Sequence, residues 1–140
     1  KYCGGWGDAA TVFEFTGYRD GQPVRTVRRA HGPAVGLRVV PDATSLQEAD
    51  TYDVTRIVVE LVDADGNVLV YGREAVTLAV DGPVELIGPA VRTVAGGSTA
   101  FWVRTTGTAG AATVTARSGR FGGRAVELLV SVRGCRIARA

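Results

Sequence analysis

From Val54 to Val62 the sequence VTRIVVELV places Ile57, Val59 and Leu61 on one side and Arg56, Val58 and Glu60 on the other. A period of two is what a half-buried strand requires, and no helix can satisfy it. Asp65-Gly66-Asn67 follows, residues that tolerate positive φ and so suit a hairpin reversal. Val68, Leu69 and Val70 resume the apolar run and read as a second strand. Ala75 to Val80 reads as a third, and a glycine-proline break closes the stretch. This segment is scaffold and carries no catalytic motif.

The rest of the chain repeats the same grammar. In Thr11 to Gly17, Val12 and Glu14 oppose Phe13 and Phe15, which predicts an aromatic pair facing a core. Arg19-Asp20-Gly21-Gln22 is a turn, and Val24 to Ala30 returns as a second strand. Such a hairpin is marginal alone and must pack on something. His31-Gly32-Pro33 breaks the pattern and marks a candidate boundary. The expected division is residues 1–32 as lead-in and hairpin, 33–133 as a sandwich, and 134–140 as a tail. Leu37 and Val39 open the main domain in a strand ended by Pro41, and Asp42 to Asp50 reads as a loop or one helical turn. Beyond Gly88-Pro89, Val91 to Ala95 is a short strand at most, and Gly96-Gly97-Ser98 a turn. Thr99 to Thr105 alternates, with Phe101 and Val103 opposite Ala100, Trp102 and Arg104. Ala112, Val114 and Ala116 line one face of the next strand; Val126, Leu128, Val130 and Val132 line one face of the last. About nine or ten short strands between Gly, Pro, Asp and Asn clusters predict an all-β fold, two antiparallel sheets packed as an immunoglobulin-like sandwich.

The chain's 140 residues suffice for one domain, or one domain plus a fragment of a neighbour. It begins with Lys1 and contains no methionine, so it reads as part of something larger, and it shows no signal-peptide pattern. A net charge of +2, with arginines scattered along strands and Arg28-Arg29 the only adjacent pair, gives no electrostatic case for nucleic acid or an anionic membrane surface. No apolar run approaches a membrane span. Cys3 and Cys135 sit at opposite ends, either a staple of the termini or two unrelated thiols. Neither has a neighbouring Cys or His for a zinc site.

Candidate chemistry is sparse. A glycosidase needs two carboxylic acids about 5–10 Å apart across one sugar bond. The 14 carboxylates sit mostly in turns or, like Glu14, Glu60, Glu85 and Glu127, at polar strand positions. Asp63-Ala64-Asp65-Gly66-Asn67 resembles part of a calcium loop, whose bidentate Glu falls about six residues past the glycine. Gly72 stands there instead, so a hairpin turn is expected, with Asp63 or Asp65 accepting local N–H bonds. His31 has no nucleophile pattern and no second imidazole, and the glycine clusters at 4–7, 96–97 and 122–123 precede no helix. No catalytic residue, metal site or cofactor is expected. Exposed aromatics are the remaining candidates. Trp102 with Arg104, and Trp6 near the start, are candidates for contact with a sugar or a neighbouring domain.

Asp53 to Leu69, DVTRIVVELVDADGNVL, followed by VTLAVDGPVELIG at 76–88, resembles the immunoglobulin-like domain near the C-terminus of glycoside hydrolase family 2 enzymes, chiefly bacterial β-galactosidases. Upstream, TGYRDGQPV at 16–24 is similar to the hairpin that closes the preceding accessory domain there. Downstream, Gly107 to Gly119 resembles the family's closing G-x-x-x-V-x-A-x-S-G pattern. The resemblance implies a non-catalytic accessory domain that packs on other domains of the same polypeptide, including a catalytic barrel. It also implies a parent enzyme that hydrolyses terminal β-galactosides by double displacement, with its catalytic glutamates in that barrel. Two other classes fit the same pattern: a carbohydrate-binding module using the exposed aromatics, and an invasin-type adhesion domain of a bacterial surface. The compartment, cytoplasmic or secreted, stays open.

Overall fold

The structure is a computed structural model that describes residues 12–30 and 32–133. Eleven strands are formed among these residues. In chain order they are β1 (Val12–Arg19), β2 (Gln22–Ala30), β3 (Gly36–Pro41), β4 (Ser45–Glu48), β5 (Val54–Val62) and β6 (Ala75–Asp81). Then come β7 (Val84–Ile87), β8 (Val91–Thr93), β9 (Ser98–Thr105), β10 (Gly110–Ser118) and β11 (Gly122–Val132). Strands β1 and β2 make a two-stranded sheet. The others form a five-stranded sheet, β4-β11-β10-β6-β8, and a four-stranded sheet, β3-β5-β9-β7.

Alternation along each strand supplies one apolar face per sheet, and these two faces make the core. The four-stranded sheet contributes Leu37, Ile57, Val59, Leu61, Val84, Phe101 and Val103, all buried. The five-stranded sheet contributes Leu46, Val76, Leu78, Ala112, Val114, Ala116, Leu128 and Val130. Burying a side chain of the Val, Leu or Phe class stabilises by about 1.5–3 kcal/mol relative to exposure, so this double layer is the main favourable contribution. Two buried hydroxyls are tied in as well. Thr55 Oγ1 donates to the Ala43 carbonyl (3.1 Å) and accepts from its N–H (3.0 Å), and Thr105 Oγ1 accepts from the Asp53 N–H (3.0 Å). All-β sandwich architecture follows, as the alternation predicts.

Several local expectations change. Val68 to Val70 is not a strand: it reaches β5 by a single bridge, Val62 to Val68, and a Leu69 N–H to Leu61 carbonyl bond of 2.9 Å. β5 is a central strand, paired on one edge with β3 and on the other with β9, so little free edge remains for a hairpin partner. The next strand, β6, therefore crosses to the other sheet. Asp42 to Asp50 is not a loop or helical turn throughout. It contains β4, which pairs parallel with β11 and buries Leu46 to 1% exposure, so the sandwich is not wholly antiparallel. Past Gly82-Pro83, Val84–Ile87 is a further strand that the sequence reading did not separate. Val132, grouped above with a buried face, is 39% exposed. Phe13 and Phe15 face no core among the described residues. They stack on each other (centroids 6.4 Å apart) and stay 57% and 60% exposed.

The β1–β2 turn is as expected. Arg19 pairs with Gln22, leaving Asp20 and Gly21 as a two-residue loop with φ of 51° and 76°. Positive φ at both central positions is the type I′ geometry that matches strand twist, and Asp-Gly supplies it.

Candidate functional site

Trp102 lies on β9 between buried Phe101 and Val103, so its side chain points away from the core and is 44% exposed. In register it faces Arg56 on β5 and Ile87 on β7. One rung along, Ala100 faces Val58, and Val58 faces Val40 on β3. Val40 and Ile87 are 42% and 41% exposed. Trp102, Ile87, Ala100, Val58 and Val40 thus form an oblique apolar stripe on the outer face of the four-stranded sheet.

Ion pairs frame that stripe. Arg38 Nε meets Glu60 Oε2 at 2.6 Å, Arg56 Nε meets Asp42 Oδ2 at 3.0 Å, and Arg104 pairs with Glu85. Arg38 and Glu60, and Arg104 and Glu85, are directly opposite in register. Such cross-strand pairs contribute a few tenths to about 1 kcal/mol each. Arg104 also lies over the Tyr52 ring, its Cζ 5.0 Å from the centroid. The hydrogen bond and charge of Glu85, aided by Tyr52, hold the Arg104 guanidinium above its ordinary value, so it is a permanent cation. The hairpin repeats the device: Arg28 Nε is 3.3 Å from Glu14 Oε2 across β1 and β2. Three of the four strand glutamates singled out in the sequence, Glu14, Glu60 and Glu85, therefore sit in ladder ion pairs. Chemically, the face can stack and pack; Glu60, Asp42 and Glu85 are committed to its arginines.

The Asp63–Asn67 turn is the other dense polar feature. Asp63 is 3% exposed, and its Oδ1 accepts the N–H groups of Asp65 (3.0 Å) and Asn67 (2.8 Å). Its Oδ2 accepts from Asn67 Nδ2 at 3.1 Å. Burial pushes its carboxyl up, but the bonds from Asn67, Asp65 and Gly32 outweigh that and hold it below its ordinary value. The expected Asp acceptor is thus Asp63, and its oxygens serve the turn. Asn67 Oδ1 in turn accepts from Arg29 Nη1 (2.8 Å), a link to β2. Among the described residues no three His, Cys, Asp or Glu side chains gather to hold a metal ion.

Of the named candidates, Trp102 and Arg104 share one face, and Trp6 lies outside the described residues, as do His31, Cys3 and Cys135. The sequence reading missed Ile87 and Val40 as neighbours of Trp102. Their signal was present: each sits at the outward parity of its strand, but only the register shows that those outward positions adjoin.

Comparison with known proteins shows the family. Residues 37–127 match the model of the glycoside hydrolase family 2 C-terminal domain 5. A β-galactosidase of Rhizobium meliloti is 36% identical over 96 residues, 68% of this chain and 13% of that protein. A β-galactosidase of Rhizobium radiobacter is 30% identical over 132 residues, 91% of this chain and 93% of the compared sequence. Among solved structures, a glycosyl hydrolase family 2 member from Bacteroides cellulosilyticus superposes with a TM-score of 0.71 at 23% identity, covering 88% of this chain and 18% of that one. The chain therefore spans a small part of the Rhizobium meliloti enzyme and nearly all of the Rhizobium radiobacter sequence. Since the matched segment is well over half of its length, this chain belongs to the glycoside hydrolase family 2 C-terminal domain 5 family.

Proposed function

We propose that this chain is a non-catalytic accessory domain of a longer β-galactosidase, where it packs against other domains, including a catalytic barrel, and helps shape the enzyme that hydrolyses terminal β-galactosides. The observation that carries this is the match to a β-galactosidase of which it spans 13%. The fate of the carboxylates supports it, since an acid held in a ladder ion pair is a poor proton donor for a glycosidic oxygen. On this reading Trp102 and Arg104 form a domain contact, an apolar centre with a charged rim of the kind common at such interfaces. Residues 1–32 end a preceding accessory domain, and 33–133 are the unit that repeats the family fold. Purified chain incubated with a chromogenic β-galactoside should release no chromophore above a heat-treated control. Turnover abolished by substitution of Glu60 or Glu85 would overturn the non-catalytic reading.

Exposure of Trp102 also favours a second reading, a carbohydrate-binding module with Trp102 as a stacking platform. Titration with β-galacto-oligosaccharides separates the two: the accessory reading expects the same response from the native chain and from Trp102→Ala. A saturable quench of tryptophan fluorescence that disappears in a folded Trp102→Ala variant would establish the module instead.

A further inference from the structure

A groove of about 340 Å³ opens beside the segment that joins β5 to β6, and none of the stripe residues around Trp102 lines it. Its floor and walls are Leu61, Ala34, Val68, Leu69 and Val70, and its lining also includes Tyr71, Arg73 and Arg120. That volume is at the lower end of the range of small-molecule sites, roughly 300–1,000 Å³, and suits a single ring.

The wall is built, not incidental. Leu69 is bonded to the Leu61 carbonyl, and the Gly72 N–H closes a turn on the Leu69 carbonyl (both 2.9 Å). A Cβ on Gly72 would overlap Leu61 Cδ2. One on Gly97, at φ +84°, would stand 2.7 Å from Val68 Cγ1 and 2.8 Å from the Leu69 carbonyl. Two glycines thus let this segment lie close against its neighbours, while Asp63 fixes Asn67 at its start.

Charge selects the occupant. Among the described residues no Asp or Glu lines the groove, whereas Arg73 and Arg120 do, and neither of these two is in an ion pair there. Asp63 lies behind Gly32 and Asn67, its carboxylate already satisfied by N–H donors, and Glu74 follows Arg73 in sequence without lining the groove. Arg120 lies 5.1 Å over the Phe121 ring. Stacking occupies the guanidinium face and leaves its in-plane N–H donors to match a carboxylate. Tyr71, 88% exposed, offers a ring face at the groove.

We propose that this groove binds a small carboxylate carried on a ring with an apolar C–H face, the chemistry of a sugar acid, with Arg73 and Arg120 taking the carboxylate and Leu61, Leu69 and Tyr71 packing the ring. The test is a titration of the isotope-labelled chain followed by amide NMR, at constant ionic strength, with sodium glucuronate, glucose or sodium acetate. Saturable shifts confined to Leu69–Arg73 and Arg120–Phe121 are expected with glucuronate. Glucose, which lacks the anion, and acetate, which lacks the ring, should each bind about tenfold or more weaker, and the folded Arg73→Gln/Arg120→Gln double variant should lose about the same factor. Absence of saturation with glucuronate, equal affinity for glucose or acetate, or an unchanged double variant would each overturn it. None of these outcomes touches the accessory-domain reading, which does not depend on the groove.

Discussion

Asp63 holds together the turn that follows β5 by accepting its N–H groups. Two backbone donors and the Asn67 amide converge on its carboxylate, which water scarcely reaches. Asp63→Ala would strand those donors, and charge-assisted bonds of this kind are worth about 1.5–3 kcal/mol, so urea unfolding at pH 7 should show a loss of roughly 2 kcal/mol. The linkage has a definite sign. The folded carboxyl titrates below the value near 3.8 that it has when unfolded, so between those two pH values the unfolded chain binds the extra proton. Its stabilisation is complete above the unfolded value and is lost as pH falls through the folded one. The gap between native and variant should therefore shrink only below about pH 4, and a gap that closes between pH 7 and 5 would contradict this account. Gly97→Ala is a second test at this scale. Positive φ and the crowding against Val68 and Leu69 predict a loss of more than about 1 kcal/mol in the same assay, whereas Gly21→Ala, equally left-handed but uncrowded, should lose less. The Asp63 turn was legible from D-A-D-G-N because its bonds are local. The need for glycine at 97 was not, because what crowds it comes from residues 68 and 69.

Short elements depend on context more than long ones do. β5, β9, β10 and β11 announce themselves by alternation over many residues, and their inward faces are, but for Val132 at the end of β11, the ones the alternation selects. β4 has four residues and one large apolar side chain, Leu46, so periodicity has nothing to count. Its strand conformation comes from pairing with β11 through Leu129–Val132, reinforced by Ser131 Oγ on the Leu46 carbonyl (3.2 Å). Val68–Val70 shows the converse, an apolar run in a good strand sequence whose would-be partner is already paired. Leu46→Ala should cost about 2–4 kcal/mol in urea unfolding, since Leu46 closes the end of the core under an edge strand. Gln47→Ala, one position along and exposed, should cost under about 0.5 kcal/mol. Equal effects would mean that β4 contributes little to folding. For β1 and β2 the alternation was legible too, but not which face would be covered, since hairpin parity alone assigns no inside.

At the scale of the whole molecule, two of the apolar regions on the described surface are clusters of outward-facing side chains that the sandwich does not cover. One is the stacked Phe13–Phe15 pair on the hairpin; the other is the Trp102–Ile87–Val40 stripe. The inward-facing core could be read from one-dimensional parity. The stripe could not, because it is assembled across β3, β5, β9 and β7 by register. Register also decides what the stripe can contact, since the Arg56–Asp42 and Arg104–Glu85 pairs flank Trp102 with charges that are mutually neutralised. A partner can therefore cover the stripe without leaving a naked charge beneath it, which favours packing by a neighbouring domain over capture of a charged ligand. Trp102 is already more than half covered, so Trp102→Ala should destabilise the isolated chain by about 1–2 kcal/mol. On the accessory-domain reading, the same substitution in a longer polypeptide carrying the catalytic barrel removes an anchor from a contact as well. Its unfolding transition, followed by calorimetry with β-galactoside turnover measured in parallel, should then lose at least about 1 kcal/mol beyond the isolated-chain cost. A loss equal to that of the isolated chain would leave the stripe facing water in the assembled enzyme and remove Trp102 from the domain contact.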